Sequence, residues 1–294
     1  MKVSDHMSQF NMIIAGVPIR MTAAISMELP EDLQPFVVSH PIEPLDTYDI
    51  QVLEQPLALP RCAVYHSTDM DIYAQQDGWL RVFSYLTDEN GCHTAVYLRH
   101  SGLHTLYLPA GDLDRFQFKG QLSPILGLEW LLLRHQCMIL HSSVITYNGS
   151  SVLFCGPSGV GKSTQAALWE KHMGAKIING DRCAIIRRTN GFFGCGSPFS
   201  GSSNIYLPEE APIRGIVFLE QGPENIIHPS SPRHAFTRFY AQTVENTWDP
   251  EYTKKLCDLF EQIINTIPLY DLSCLPDQSA VMLVHDTLFA NEGV

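Results

Sequence analysis

The residues with the clearest capacity for chemistry lie between Ile139 and Thr164. At their centre, Gly156-Pro157-Ser158-Gly159-Val160-Gly161-Lys162-Ser163 fits the spacing G-x-x-x-x-G-K-[ST]. Glycines so placed let the backbone curl until consecutive N–H groups converge on phosphate oxygens. The lysine would reach the β- and γ-phosphates, and the hydroxyl of Ser163 would ligate Mg²⁺. Gly156, Pro157, Ser158, Gly159, Val160, Gly161, Lys162, Ser163 and Thr164 are therefore the expected nucleotide-binding residues, with ATP and Mg²⁺ as cofactors. Lys162 is also a catalytic candidate, because phosphoryl transfer is mostly positioning and charge neutralisation.

A hydroxyl acceptor must lose a proton, so a base is needed within hydrogen-bond reach. Asp181 closes the next apolar strand, where a phosphate-loop protein places a magnesium-binding acid. It is the candidate for catalysis and, with Ser163, for the metal; pure Mg²⁺ or water ligation is the competing role. His141 is the third catalytic candidate, holding or polarising that acid, and its plainer role is a buried strand histidine bonded to backbone. Pro198–Ser203, small and polar, suits either a substrate-gripping loop or an ordinary surface turn. Arg214, Arg233 and Arg238 could each meet a phosphate.

These residues need elements to hold them. Ser151–Cys155 reads as a buried strand, and Lys162 to about Met173 as a helix stopped by Gly174, with its positive end on the anion. Asn148-Gly149 between two apolar runs is a strong hairpin signal. A two-residue turn there sets Tyr147 opposite Ser150, Ile145 opposite Val152 and His141 opposite Gly156, at the mouth of the loop. Further along, Ala175–Asn179, Cys183–Arg188, Gly191–Cys195, Ile213–Leu219 and Ile267–Ser273 read as strands. Leu122–Gln136, His234–Val244, Pro250–Thr266 and Pro276–Leu288 read as helices. Residues 1 to about 120 read as short strands cut by Pro, Gly, Asp and Asn, with a hairpin loop at Asp88–Gly91. Their histidines 66, 93, 100 and 104 fit no metal spacing and are expected to be satisfied or solvated.

Composition bounds the rest. At 45% apolar and 17% charged residues the chain is globular, not disordered. A net charge of −12 argues against a nucleic-acid partner. No secretory h-region and no long apolar run is present, so a cytoplasmic protein without membrane attachment is expected. Eight cysteines include no C-x-x-C pair, and Cys137, Cys155 and Cys183 sit in or beside apolar runs as core residues would.

An L-H-x-x-V strand, the Asn-Gly hairpin, GPSGVGKST, an acid at the next strand end and a PFSG loop together resemble the HPr kinase/phosphorylase-like proteins. The resemblance covers about residues 122–290 and is strongest from His141 to Asp181. By texture the chain is similar to HPr kinase-related peptide serine kinases found near ribosomal-peptide tailoring genes. It implies an α/β fold with a phosphoenolpyruvate carboxykinase-like P-loop kinase domain (121–294); the smaller β-rich N-terminal domain (1–120) before it is read from its short punctuated strands and lies outside the resemblance. It implies transfer of the γ-phosphate of ATP to a serine or threonine hydroxyl of a peptide, protein or small metabolite. His141 matches the family's carboxylate partner, and Asp181 matches the second of two consecutive aspartates. The first, the proposed base, falls on Gly180, and the E-x-R-G signature is missing, so HPr is not the expected acceptor. A nucleotide-binding switch or scaffold, with the N-terminal domain binding a partner, is the alternative. The oligomeric state, including a homo-oligomer, is left open.

Overall fold

The computed structural model describes residues 7–243 and 246–290. The chain is of mixed α/β class and divides into two compact units, Met1–Leu131 and Leu132–Val294. No helix among the described residues is long and apolar enough to cross a membrane.

In the first unit the strands are β1 (Ser8–Ile14), β2 (Val17–Ala23), β3 (Asp46–Leu53), β4 (Tyr65–His66), β5 (Met70–Gln75), β6 (Gly78–Thr87), β7 (His93–Arg99) and β8 (Leu103–Pro109). They form one sheet in the order β1-β2-β3-β8-β7-β6-β5-β4, parallel only at β2–β3 and β3–β8. Period-two alternation decides the faces: Val17, Ile19, Met21 and Ala23 of β2 are buried and the residues between them are half-buried. The expected Asp88–Gly91 loop joins β6 to β7. Strands β2 and β5 complete the sheet.

Two titratable side chains of this unit are buried together. His104 Nε2 lies 2.9 Å from Asp46 Oδ1, and neither side chain is exposed. His104 Nδ1 accepts the Arg99 backbone N–H at 3.0 Å. An unprotonated Nδ1 leaves the ring proton on Nε2, so a neutral imidazole donates to Asp46. The histidines expected to be satisfied include this one, and also His66 against Asp71 and His93 against Thr87.

The single helix expected over Leu122–Gln136 is broken. A 3₁₀ turn covers Ser123–Ile125, and the α-helix, α1, covers only Leu128–Arg134. Gly127 between them has φ 67°, and a Cβ there would stand 2.7 Å from Leu98 Cδ1. Packing against β7 thus demands a glycine in the left-handed region, which a continuous helix cannot contain.

The second unit begins with the hairpin of β9 (Cys137–Tyr147) and β10 (Ser150–Cys155). Asn148 and Gly149 both have positive φ, 47° and 74°, as a tight two-residue turn of matching twist requires. The register pairs Tyr147 with Ser150 and Ile145 with Val152. After β10 come α2 (Lys162–Met173), β11 (Lys176–Asn179), β12 (Arg182–Arg188), β13 (Gly191–Cys195), β14 (Glu210–Gln221), β15 (Ile226–Pro229), α3 (Pro232–Ala241), α4 (Pro250–Thr266), β16 (Leu269–Cys274) and α5 (Gln278–Phe289). Helix α3 starts behind the N-cap Ser231, and Val244, the expected end of that helix, lies outside the described residues.

The strand order is β10-β9-β12-β13-β14-β16-β15, with β11 on β9 and a second, parallel pairing of β10 with β14. That pairing closes β10, β9, β12, β13 and β14 into a ring and sets two parallel strand ends side by side at the glycine loop. Behind the loop, Phe154, Val217, Leu219 and Leu272 meet Ala166 and Trp169 of α2 and Val281, Val284 and Leu288 of α5. Trp169 is wholly buried, so truncating it to alanine would cost about 3–5 kcal/mol.

Candidate functional site

The segment with the phosphate-binding spacing folds as strand, glycine loop and helix. Gly156, Gly159 and Gly161 have φ of 150°, 78° and 114°, and Gly161 is the N-cap of α2. Gly156 has a second reason to lack a side chain: its Cβ would stand 2.9 Å from Val160 Cγ1 and 3.2 Å from the Leu219 carbonyl oxygen of β14. Around Gly159 and Gly161 the same construction meets open space. Their glycines serve backbone shape and leave the loop's concave side clear. Ser163 and Thr164 are exposed at the start of α2, whereas Lys162 is buried.

The Lys162 ammonium is folded onto its own loop, donating to the carbonyls of Gly156 at 2.9 Å and Pro157 at 3.1 Å. Burial pulls its pKa below the usual lysine value, while Cys155 and Asp181 push the other way. A cation held only by neutral carbonyls can exchange them for phosphate oxygens, which add the attraction of an opposite charge to the hydrogen bond.

Asp181 and His141 come together. His141 Nε2 is 3.2 Å from Asp181 Oδ1, with both side chains about a third exposed, and Arg182 Nε lies 3.7 Å from Oδ2. The hydrogen bond from His141 is the main reason the Asp181 carboxyl sits below its usual value. The charges of His141, Arg182 and Lys162 add to it against the opposing effect of burial. The hairpin ladder ends at Ser142–Cys155, one pair short of the expected His141–Gly156, and His141 instead pairs with Arg182 of β12 across a bulge. That bulge turns His141 toward the acid. On its other flank the His141 N–H donates to the Gln242 carbonyl at 2.8 Å, just past α3.

Sequence reasoning missed the residue that builds this corner. Asn179 is fully buried; its Oδ1 accepts the N–H groups of Asp181 (3.0 Å) and Arg182 (2.9 Å). Its Nδ2 donates to the carbonyls of Ser197 (3.1 Å) and Phe199 (3.0 Å). One amide therefore sets the acid's turn and ties down the Pro198–Ser203 loop. Asn179-Gly180-Asp181 is an Asx-turn signature, and that was the available signal.

Gly180 is a site of close approach. A Cβ there would stand 2.2 Å from Ser203 Oγ and 2.4 Å from Ser203 Cβ, and one on Gly201 would stand 2.6 Å from Asp181 Cγ. The Pro198–Ser203 loop thus lies on Gly180-Asp181, where a side chain at position 180 would otherwise project. Of the three arginines, Arg214 donates to the Leu288 carbonyl and covers Phe289, and Arg233 lines a cleft between α3 and α4. Only Arg238 borders the glycine loop, in a cleft of about 370 Å³ with Pro157–Val160, Leu219, Glu220 and Gln221. A second cleft of about 430 Å³ opens on the other side of Val160, lined by Gly161, Thr164, Gln165, Gly222 and Cys274–Pro276.

All eight cysteines are free; Cys137, Cys155 and Cys183 are buried, as their apolar settings suggested. Among the described residues no three His, Cys, Asp or Glu side chains are grouped to hold a metal ion. Neither a family model nor a curated protein matches the chain. Among solved structures it is similar to the Hpr(Ser) kinase/phosphatase from Coxiella burnetii, at 12% identity and TM-score 0.30 over 53% of this chain and 90% of that one. That likeness is too slight to carry either fold or function.

Proposed function

We propose that this protein is an ATP- and Mg²⁺-dependent phosphotransferase that delivers the γ-phosphate to a serine or threonine hydroxyl of a peptide, protein or small metabolite. The observation that carries the reading is the glycine loop itself, with Lys162 bonded to exchangeable carbonyls at the start of α2, in the same unit as the partly exposed His141–Asp181 pair. The curled segment Gly156–Thr164 would cradle the phosphates. Ser163 and Asp181 would hold Mg²⁺ together with phosphate oxygens, which suits an ion that takes one or two protein ligands besides its substrate. The lowered pKa keeps Asp181 ionised at neutral pH. It also weakens Asp181 as a base, so metal ligation and orientation of the acceptor come first, with proton uptake late in the reaction. The partners are a nucleotide and a hydroxyl-bearing acceptor, in a cytoplasmic setting without nucleic acid or membrane. The test is transfer of labelled γ-phosphate from ATP to free serine and to serine-containing peptides encoded by neighbouring genes. Tight Mg·ATP binding with no transfer to any hydroxyl would reject the kinase.

One observation favours a second reading, a nucleotide-binding switch without transfer. Ser203 fills the space a carboxylate at position 180 would need. Gly180→Asp alone would therefore displace the loop as well as add a charge. Gly180→Asp with Ser203→Gly separates the two effects, and a gain of transfer only in the double variant would mark a lost base.

A further inference from the structure

Four side chains at the rim of the glycine loop form a chain that nothing above uses. Asp271 of β16 is buried, and its Oδ1 has no hydrogen-bond partner. Its Oδ2 lies 3.0 Å from His234 Nδ1 at the start of α3, with His228 Nδ1 4.0 Å away. His234 Nε2 in turn receives the Nε–H of Arg238 at 3.1 Å, one helical turn on. An arginine can only donate, so Nε2 is unprotonated and the ring proton sits on Nδ1, facing Asp271. The buried carboxylate fixes the tautomer, the tautomer fixes the acceptor, and the acceptor fixes one edge of the guanidinium. The neighbouring Nη2 contacts Glu220, near the end of β14 beside the loop.

We propose that Arg238 is the second protein cation of the phosphate site. On nucleotide binding it exchanges Glu220 for an oxygen of the terminal phosphate, while Asp271 and His234 act as positioning residues on its Nε edge. The inference rests on the reading that the Gly156–Thr164 loop binds a nucleotide, and three observations lead to it. Arg238 shares its cleft with Pro157 and Ser158, the end of the loop nearest the Lys162 ammonium, whereas the Thr164 cleft lies at the other end. Its side chain is mostly buried, while that of Glu220 is half exposed, so the acid can swing to water more cheaply than the arginine can leave. Finally, a chain of net charge −12 that brings Asp181 and Glu220 to the loop needs more than one lysine to receive a polyphosphate. A guanidinium with one edge fixed presents its free N–H groups to phosphate oxygens in a fork.

Calorimetric titration of Mg·ATP and Mg·ADP tests this on the full chain and its variants. Arg238→Ala should weaken Mg·ATP about tenfold or more and Mg·ADP by less than about threefold, since one charged hydrogen bond to the terminal phosphate is lost. Arg238→Lys should recover part of that loss, and Asp271→Asn should lower the ATP-to-ADP ratio in the same direction. A purely structural Arg238 would instead lower both affinities together with the melting temperature. Should Arg238→Ala fail to fold, Glu220→Gln carries the test: freeing the guanidinium should tighten Mg·ATP by about threefold and leave Mg·ADP unchanged. An unchanged ATP-to-ADP ratio in Arg238→Ala, or no gain in Glu220→Gln, overturns the role of Arg238 and leaves the loop reading standing. A wild-type chain that binds neither nucleotide overturns both.

Discussion

The His104–Asp46 pair of the first unit and the His141–Asp181 pair of the second differ in what their atoms are free to do. In the first unit His104 spends both ring nitrogens, one on Asp46 and one on a backbone N–H. Its ring lies against Tyr48 and Trp130, with centroids 4.9 and 6.4 Å away. In the second, His141 spends Nε2 on Asp181, and both side chains stay open to solvent beside the glycine loop. The same two residue types thus make a structural strut where water is excluded and a solvent-open pair, the proposed reactive one, where it is not. Residue identity separates them poorly; burial and the number of uncommitted polar atoms separate them well.

The comparison breaks first at Asp181→Asn. Transfer should fall by about a thousandfold or more, because an amide cannot take the proton or hold the metal as well, while stability changes by under about 1 kcal/mol. If Asp181 is mainly the acceptor, Mg·ATP affinity stays within about tenfold; a larger drop assigns it to the metal. His141→Ala should cost less transfer than Asp181→Asn, since it only orients that acid. Equal stability losses in Asp181→Asn and the Asp46 variant below would erase the distinction drawn here.

Asp46→Ala or His104→Ala should destabilise the first unit by about 3–5 kcal/mol, the cost of removing one partner of a buried pair. Urea midpoints followed by tryptophan fluorescence would show it. Lys162→Ala should then lower Mg·ATP affinity by about a hundredfold, removing the one cation of the loop itself, with little change in melting temperature. Unaltered affinity in that variant would sink the phosphate-loop assignment. Ser163→Ala is a smaller perturbation. It should weaken nucleotide binding by about tenfold with Mg²⁺ and hardly at all in EDTA, and equal losses in the two conditions would reduce Ser163 to a structural role.

The smallest effect is a pH dependence. Asp181 has a folded-state pKa below its unfolded value, so its contribution to stability is present above the unfolded value and fades as pH falls through the folded one. The stability gap between wild type and Asp181→Asn should therefore close in acid below the usual carboxylate value of 3.8. A gap that widens there would mean the sign of the shift is wrong.

Local rules made most of the second unit readable. The Asn148-Gly149 turn fixes a hairpin register that the pattern alone gives, and Gly174 stops α2 with φ 68° where the sequence says it should. The His141–Asp181 pair was legible from the resemblance and from the acid's place after an apolar strand; in the structure His141 lies within β9 and Asp181 in the turn between β11 and β12. What stayed hidden depends on contacts between segments far apart in sequence. Asn179 bonds to carbonyls about twenty residues ahead, Ser203 fills the space over Gly180, and Arg238 reaches the loop through His234 and Asp271. Gly127 misled the helix assignment because its need for positive φ comes from Leu98, not from its neighbours in the chain.

Strand β9 serves three partners at once: β10 along Tyr147–Ser142, β11 on Thr146–Val144, and β12 on Ser142–Cys137. Its only short connection to β10 is the pair Asn148-Gly149. Inserting or deleting one residue there would rotate every side chain of β9 to the opposite face, since strand side chains alternate one by one. Ser142 would turn outward to the loop and His141 inward to the core. The length of this turn is thus a measuring stick: it sets which face of β9 the histidine takes, and with it whether His141 meets the acid.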